Sequence, residues 1–389
     1  MRRSKVGRSP APNSHSPFRL IQSGRWNLGR GYSDLGSIRP PTKSLGERSL
    51  PAHNNPTVAS RKPARHVSVK DVAARAGVSF QTTSKVLNGG GTVSEVTRAR
   101  IHQVASDLGY VPNLQARSLV MQRTRTVGLL AGDFSDQNLS RLIVGAEREA
   151  RRQGYGVLMT SIDLEVSGTE YALPSLMERR VDGILLAAPQ MEEDRAVARA
   201  LDKTVPVVSL HHIAGGGVAT VGSDDELTGL LATRHLVAKG HRAIAIVIGP
   251  RARRVTQDRL RGYRKALEEA GLPFDERLVT DGSDGAATVE LLQRVPAISA
   301  IFAENDHLAI GVLSALRDLG KRVPQDCAVV GCDDIEMAAF TVPPLTTIHI
   351  PFYETGEQAM RLLLEMITSG SVAPRKLLLP VHLISRGST

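Results

Sequence analysis

The stretch Val67–Leu119 constrains this chain more than any other, and within it the ten residues from Ser79 to Asn88. Ser68-Val69-Lys70-Asp71 has the form of a capping box, in which a Ser hydroxyl accepts from the backbone N–H three residues on and the acid reaches back. Val69, Val72, Ala73 and Ala76 then recur at helical spacing. Gly77 supplies a turn where positive φ costs little. Val78 fills the corner, and Ser79 caps a second helix whose Val86 and Leu87 point back to the first. Two short helices joined by a Gly-containing turn make a helix-turn-helix. Its second helix leaves Phe80, Gln81 and Lys85 outward: a flat apolar group, a bidentate amide and a cation, each able to meet a base edge or a phosphate.

A third helix follows, capped by Ser94, with Ile101, Val104, Ala105 and Leu108 inward and Gly109 at its end. After Tyr110-Val111-Pro112-Asn113 comes a short helical segment, Leu114 to Val120. Ser-Val-Lys-Asp-Val-Ala, Ala-Gly-Val-Ser, Ser-Lys-Val-Leu-Asn-Gly, Leu-Gly-Tyr-Val-Pro-Asn and Ala-Arg-Ser-Leu together resemble the DNA-binding headpiece and hinge of the lactose-repressor (LacI/GalR) family. The match runs almost unbroken from Val67 to Leu119 and continues downstream over roughly residues 66 to 386.

Charge is distributed to suit such a reading. Residues 1–65 hold 13 Lys and Arg against 2 acidic residues, and residues 66–126 hold 8 against 3. Since the whole chain carries +10, the remainder is net acidic. A basic footprint at one end raises affinity for a phosphate backbone. Residues 1–65 are rich in Pro, Ser, Arg and Gly without a periodic apolar face, and are expected to be a disordered basic tail. A start codon assigned too far upstream or a functionless tail is favoured for them over a basic arm that adds DNA affinity, because headpieces of this family begin near the equivalent of Val67.

From Thr126 the period changes. Short apolar runs (Val127–Ala131, Gly156–Thr160, Gly183–Ala187, Val205–Leu210) alternate with amphipathic segments, and a second such series runs from Ala243 to Gly331. Strands separated by helices of this length indicate βαβ units and parallel sheets. The expected fold is an all-α helix-turn-helix headpiece plus hinge helix, followed by a two-lobed α/β domain with doubly wound parallel sheets, like a periplasmic binding protein. The boundaries read as tail 1–65, headpiece 66–112, hinge helix and linker 113–125, and effector-binding and dimerisation domain 126–389. Leu345–Pro351 and the helix Glu354–Thr368 are both assigned to the returning part of the first lobe. The resemblance further implies that the chain crosses between lobes three times.

The resemblance assigns base reading to Phe80, Gln81 and Lys85; core packing is the competing role for Phe80. Ser79, Thr82, Ser84 and Asn88 suit phosphate contact or capping. Leu119, sharing a helical face with Ala116, is implied to wedge into the minor groove beside its dimer mate, with Asn113 anchoring the segment. So short a helix is marginal alone and is expected to fold only on operator DNA. In the body, Arg259, Asn305 and Asp333 match family positions lining an effector cleft, each beyond the carboxyl end of a strand. Asp133, Asn138 and His211 are weaker candidates, and Asp306 is either a ligand contact or a helix cap. Where many relatives carry Asn-Pro-Phe-Phe, this chain reads Asp136-Gln-Asn-Leu139, and 275–300 holds no aromatic. Lost stacking surface argues against a purine and weakly against a pyranose face, while Arg259 and Asp333 suit a polyol or other polar ligand through paired hydroxyl contacts; the expected effector is a small polar one, a sugar or sugar derivative.

Cys327 and Cys332 are too few for a disulfide framework and lie in an apolar context, as buried core thiols do, which fits a reducing cytoplasm. No run of 18 apolar residues predicts a membrane span, and no secretory signal follows Met1-Arg-Arg-Ser-Lys. A transport solute-binding protein would need such a signal and would lack the headpiece. An enzyme would need a site, and there is no Walker A loop, nucleophile elbow or metal-ligand cluster; Asp333-Asp334, adjacent on a strand, would point to opposite faces. No cofactor or metal is expected. With no leucine heptad after the last strand, a homodimer on a pseudopalindromic operator is expected rather than a tetramer.

Overall fold

The computed structural model describes residues 67–111, 123–132, 137–162, 168–191, 205–211, 217–282, 285–370 and 375–389. The tail 1–65, the hinge residues Asn113, Ala116 and Leu119, and Asp133 lie outside them.

Three helices form the headpiece: α1 (Val69–Ala76), α2 (Phe80–Leu87) and α3 (Glu95–Asp107). Both halves of the α1 capping box are present, the Ser68 N–H donating to Asp71 at 2.8 Å and the Asp71 N–H to the Ser68 hydroxyl at 3.4 Å. Gly77 ends α1 at φ 63, and its N–H returns to the carbonyls of Ala73 and Ala74. Val72, Ala76, Val86, Ile101 and Ala105 form one small core, with Val78, Leu87, Val104 and Leu108 packed against it.

The first sheet has the order β11-β5-β4-β3-β1-β2, built from β1 (Thr126–Ala131), β2 (Gly156–Ser161), β3 (Gly183–Ala187), β4 (Val207–Ser209), β5 (Ala219–Ser223) and the late β11 (Lys376–Leu379), all parallel. One face is covered by α4 (Gln137–Arg152) and α10 (Phe352–Ser369), through Leu139, Leu142 and Ala146 from the former and Ala359, Leu363 and Ile367 from the latter. Leu176 of α5 (Gly168–Glu178) belongs to the core of the other face. Burial on both faces is why the inner strands β1, β3 and β4 read as apolar runs without alternation, whereas the edge strands β2 and β11 stay largely open.

The second sheet has the order β12-β10-β9-β8-β6-β7, from β6 (Ile244–Ile248), β7 (Val279–Asp281), β8 (Ala300–Ala303), β9 (Ala328–Asp333), β10 (Thr346–His349) and β12 (His382–Ile384). Only the β10–β12 pair is antiparallel. Ile244, Ile246 and Ile248 pack towards α6 (Asp225–Ala238) and α7 (Arg254–Glu269), while Ala245 and Val247 pack towards α8 (Gly285–Arg294) and α9 (Asp306–Asp318). Cys332 joins the first of these cores and Cys327 the second. The two thiols are free and buried on opposite faces of the sheet.

Among the described residues the chain passes between lobes three times: after β5, between β10 and α10, and between β11 and β12. One expectation is corrected. The segment around Leu345–Pro351 does not return to the first lobe; β10 pairs with β9 and β12 in the second sheet, and only α10 and β11 return.

Candidate functional site

In the headpiece, the Ser79 hydroxyl accepts from the Thr82 N–H at 3.1 Å and bonds the Thr82 hydroxyl at 2.8 Å, so both residues hold the start of α2. Thr83 and Val86 turn inward. Gln81, Ser84, Lys85 and Asn88 fall at i, i+3, i+4 and i+7 and form one stripe; three are exposed and Ser84 is half-buried. Asn88 also closes the helix, its N–H meeting the Ser84 carbonyl. Phe80 is 50% exposed and takes no part in the headpiece core, which removes the packing alternative for it. What α2 offers outward is therefore an aromatic ring, an amide and an ammonium, with two hydroxyls at its N-terminus.

A second site lies at the carboxyl ends of the strands, in a cleft of about 800 Å³ between the two lobes. The first lobe lends it Asn138, Leu139, Leu142, Leu210, His211 and Lys376; the second lends Asp225, Arg253, Arg254, Thr256, Arg259, Glu304, Asn305 and Asp333. Phe352, packed against the cores of both lobes at the second crossing, also lines it.

The centre of the cleft is Arg259, in the second turn of α7 and only 6% exposed. Its Nε donates to Asp225 Oδ1 at 3.1 Å, one Nη donates to the Glu304 carbonyl, and the other lies 3.8 Å from Asp333 Oδ1. Burial opposes the charge on Arg259, but Asp225, Asp333 and Glu304 outweigh it and hold the guanidinium protonated. Asp333 is the last residue of β9, sits at φ 112 and is 4% exposed. Burial pushes its carboxyl up to about 7 even with Arg259 beside it. Burial likewise raises Asp225 above the usual carboxylate range.

Asn138 connects the lobes: its Nδ2 donates to Asp333 Oδ2 at 2.8 Å. Nearby, Arg141 of α4 donates to the Asp334 carbonyl at 3.3 Å. Asp334 itself turns away from the cleft and pairs with Arg386 at 2.6 Å and His349 at 3.0 Å. The adjacent acids thus serve different partners and do not form a carboxylate pair.

Of the other expected residues, His211 lines the cleft and is held down to about 4 by burial, with Arg253 adding to the effect, so it is an uncharged group at neutral pH. Asn305 lines the cleft too, while its Oδ1 caps α9 by accepting from the Leu308 N–H at 2.9 Å. Asp306 is fully buried and tied to the Ile335 N–H and the Thr347 hydroxyl. It therefore neither caps the helix nor faces the cleft, and the capping role belongs to its neighbour.

Asp225, Thr256 and Glu304 were not singled out from the sequence. Glu304 is 4% exposed; its carboxylate accepts from the Gly249 N–H at 2.8 Å and the Thr256 hydroxyl at 2.9 Å, pinning the loop after β6 beside Arg259. Its position one residue past β8 was the available signal. A pocket so furnished pairs buried acceptors with buried donors and has leucines for walls, which suits a ligand with several hydroxyls on a carbon frame. Among the described residues no cluster of His, Cys, Asp and Glu could hold a metal ion.

Comparison with known proteins places these sites in context. Residues 68–113 match the model for bacterial regulatory proteins of the lacI family, and residues 233–389 match a periplasmic binding protein-like domain. The ribose operon repressor of Escherichia coli (strain K12) is 36% identical over 82% of this chain and 99% of its own length. The HTH-type transcriptional regulator CelR of Thermobifida fusca is 35% identical over 83% of this chain and 98% of its own. Among solved structures, a CelR–cellobiose complex is similar with a TM-score of 0.63 at 34% identity, covering 83% of this chain and all of that one. A lac repressor dimer bound to operator and the anti-inducer ONPF is similar with a TM-score of 0.74 at 28% identity, covering 83% and 99%.

Proposed function

Because this chain belongs to the LacI family of bacterial regulatory proteins, we propose that it is a dimeric, operator-specific transcriptional repressor controlled by a polyhydroxylated ligand between its lobes. Phe80, Gln81 and Lys85 read base edges in the major groove, while Ser79, Thr82, Ser84 and Asn88 meet phosphates or hold the helix. Two headpieces address the half-sites of a pseudopalindrome. Residues 66–112 serve as the DNA-binding unit, 113–125 as the hinge and 126–389 as the sensor. In the hinge, Leu119 and Ala116 enter the minor groove and Asn113 anchors the backbone.

The observation that carries the ligand reading is the buried Arg259 between Asp225 and Asp333, with Asn138 of the opposite lobe bonded to Asp333. A vicinal diol can accept from Arg259 and donate to Asp333, replacing the Asn138 bond and resetting the spacing of the lobes. Such a ligand changes operator affinity only through its unequal affinity for the two lobe arrangements. Coupling of this type is typically about 1–3 kcal/mol and reciprocal between ligand and DNA. Support for a sugar comes from relatives named for ribose and solved with cellobiose. The protein acts in the cytoplasm, where its operator is, and the divergent Asp333 and Asp334 argue against an enzymatic carboxylate pair.

Isothermal titration calorimetry against pentoses, hexoses, disaccharides and polyols tests the sensor. One class should bind saturably to the native protein, and Asp333→Asn, folded by circular dichroism, should lose it. If no class binds the native protein, the polyhydroxylated ligand is wrong.

A further inference from the structure

A second cavity, of about 430 Å³, lies at the opposite pole of the first lobe, by the amino ends of β1 and β2. Arg123, Arg125, Glu149, Gln153, Tyr155, Arg361 and Leu364 are among its walls, from α4, α10 and the chain just ahead of β1. Its charges do not balance. Glu149, 1% exposed, is bonded by Arg152, Gln153 and Arg361; Glu357 is shared by Arg152 and Arg361; Glu365 is paired with Arg375. Each carboxylate is thus satisfied by an arginine other than 123 or 125. Arg123 spends one Nη on the Ile367 carbonyl at 3.1 Å. Arg125 lies beside the Gly154 turn and makes no side-chain hydrogen bond or ion pair among the described residues.

The backbone fixes this pair firmly. Asp182 accepts from the N–H groups of Thr124 and Arg125, each at 2.8 Å, and the Arg125 carbonyl accepts from the Gly156 N–H at 2.9 Å. Arg125 is held at φ 51. One uncommitted guanidinium and one only partly engaged, lining a cavity with an aromatic ring and a leucine, are a receptor for a phosphate with a small organic body.

We propose that this cavity is a second ligand site, distinct from the cleft, for a phosphate monoester. The phosphate sits between Arg123 and Arg125, and the carbon frame lies on Tyr155 and Leu364. Because residues 123–125 lead directly from the hinge stretch into β1, an occupant fixes the point where the linker joins the sensor. The site thereby offers a second input to DNA binding, and it stands whether or not the cleft takes a sugar.

Calorimetry with inorganic phosphate and with glucose 6-phosphate, at matched ionic strength and with glucose as control, tests it. Native protein should bind both phosphates saturably, Arg125→Gln should weaken them about tenfold, which is about 1.4 kcal/mol, and the cleft variant Arg254→Gln should leave them unchanged. Loss in Arg254→Gln with retention in Arg125→Gln would move the phosphate to the cleft and overturn the proposal. So would an absence of saturation up to about 10 mM, beyond the millimolar range of weak ligands. If Arg125→Gln instead spares free phosphate but lowers the salt dependence of DNA binding by about one ion, the partner is a DNA phosphate and the metabolite site is wrong.

Discussion

Arg259 concentrates the chemistry of the cleft in one side chain. It neutralises carboxylates that would otherwise be buried without a counter-charge, so Arg259→Ala should cost about 3–5 kcal/mol in urea unfolding as well as abolish ligand binding. A loss confined to ligand binding, with stability intact, would show that Asp225 and Asp333 do not depend on it. Asp333 gives a pH signature. Its carboxyl rises from 3.8 in the unfolded chain to about 7 in the folded one. A raised acid contributes stability below the unfolded value that is lost as pH climbs through the folded one. The melting-temperature advantage of Asp333→Asn over native protein should therefore grow from about pH 4 to about pH 7 and level off above it, whereas a difference flat across that range would contradict the burial argument. Arg259, Asn305 and Asp333 were singled out through the family resemblance; Asn305 lies just past β8 and Asp333 ends β9, but Arg259 stands in the second turn of α7, away from any strand end. Glu304 was not, since what makes it important is the Gly249 N–H it accepts from, contributed by the loop after β6.

At the scale of elements, helix packing sets where Arg259 stands. Gly229 of α6 faces the Arg259 carbonyl so closely that an added Cβ would collide with backbone, and Gly262 of α7 meets Glu226 in the same way. Gly229→Ala should push α7 from α6, costing about 1–3 kcal/mol and weakening the cleft ligand, read by thermal denaturation and calorimetry. Retained stability and affinity would mean that the helices separate without moving the site. Headpiece elements are more independent. Gln81 is exposed and off the core, so Gln81→Ala should leave the fold intact and relax base discrimination by about 1–3 kcal/mol in competition binding. Ser79→Ala removes a cap and should destabilise the headpiece by about 0.5–2 kcal/mol. The headpiece helices were legible because caps and turn glycine are local signals. The assignment of β10 failed for the complementary reason: Thr346–His349 is a short strand with Ile348 as its one strongly apolar residue, and nothing local says which sheet it completes.

Across the whole molecule, the proposed function rests on two sites. The headpiece offers the exposed face of α2, and the cleft supplies buried donors and acceptors drawn from both lobes. The crossings between the lobes were readable only as a family habit, because they arise from long-range pairing that periodicity does not encode. The most direct test titrates the intact protein onto DNA from upstream of its own gene by fluorescence anisotropy, with and without the cleft ligand found by calorimetry. The expected result is tight, salt-sensitive binding to one pseudopalindromic site, with the affinity shifted about 5- to 150-fold by the ligand and an equal shift in ligand affinity caused by DNA. Operator affinity that does not change at saturating ligand would contradict the coupling of the two sites.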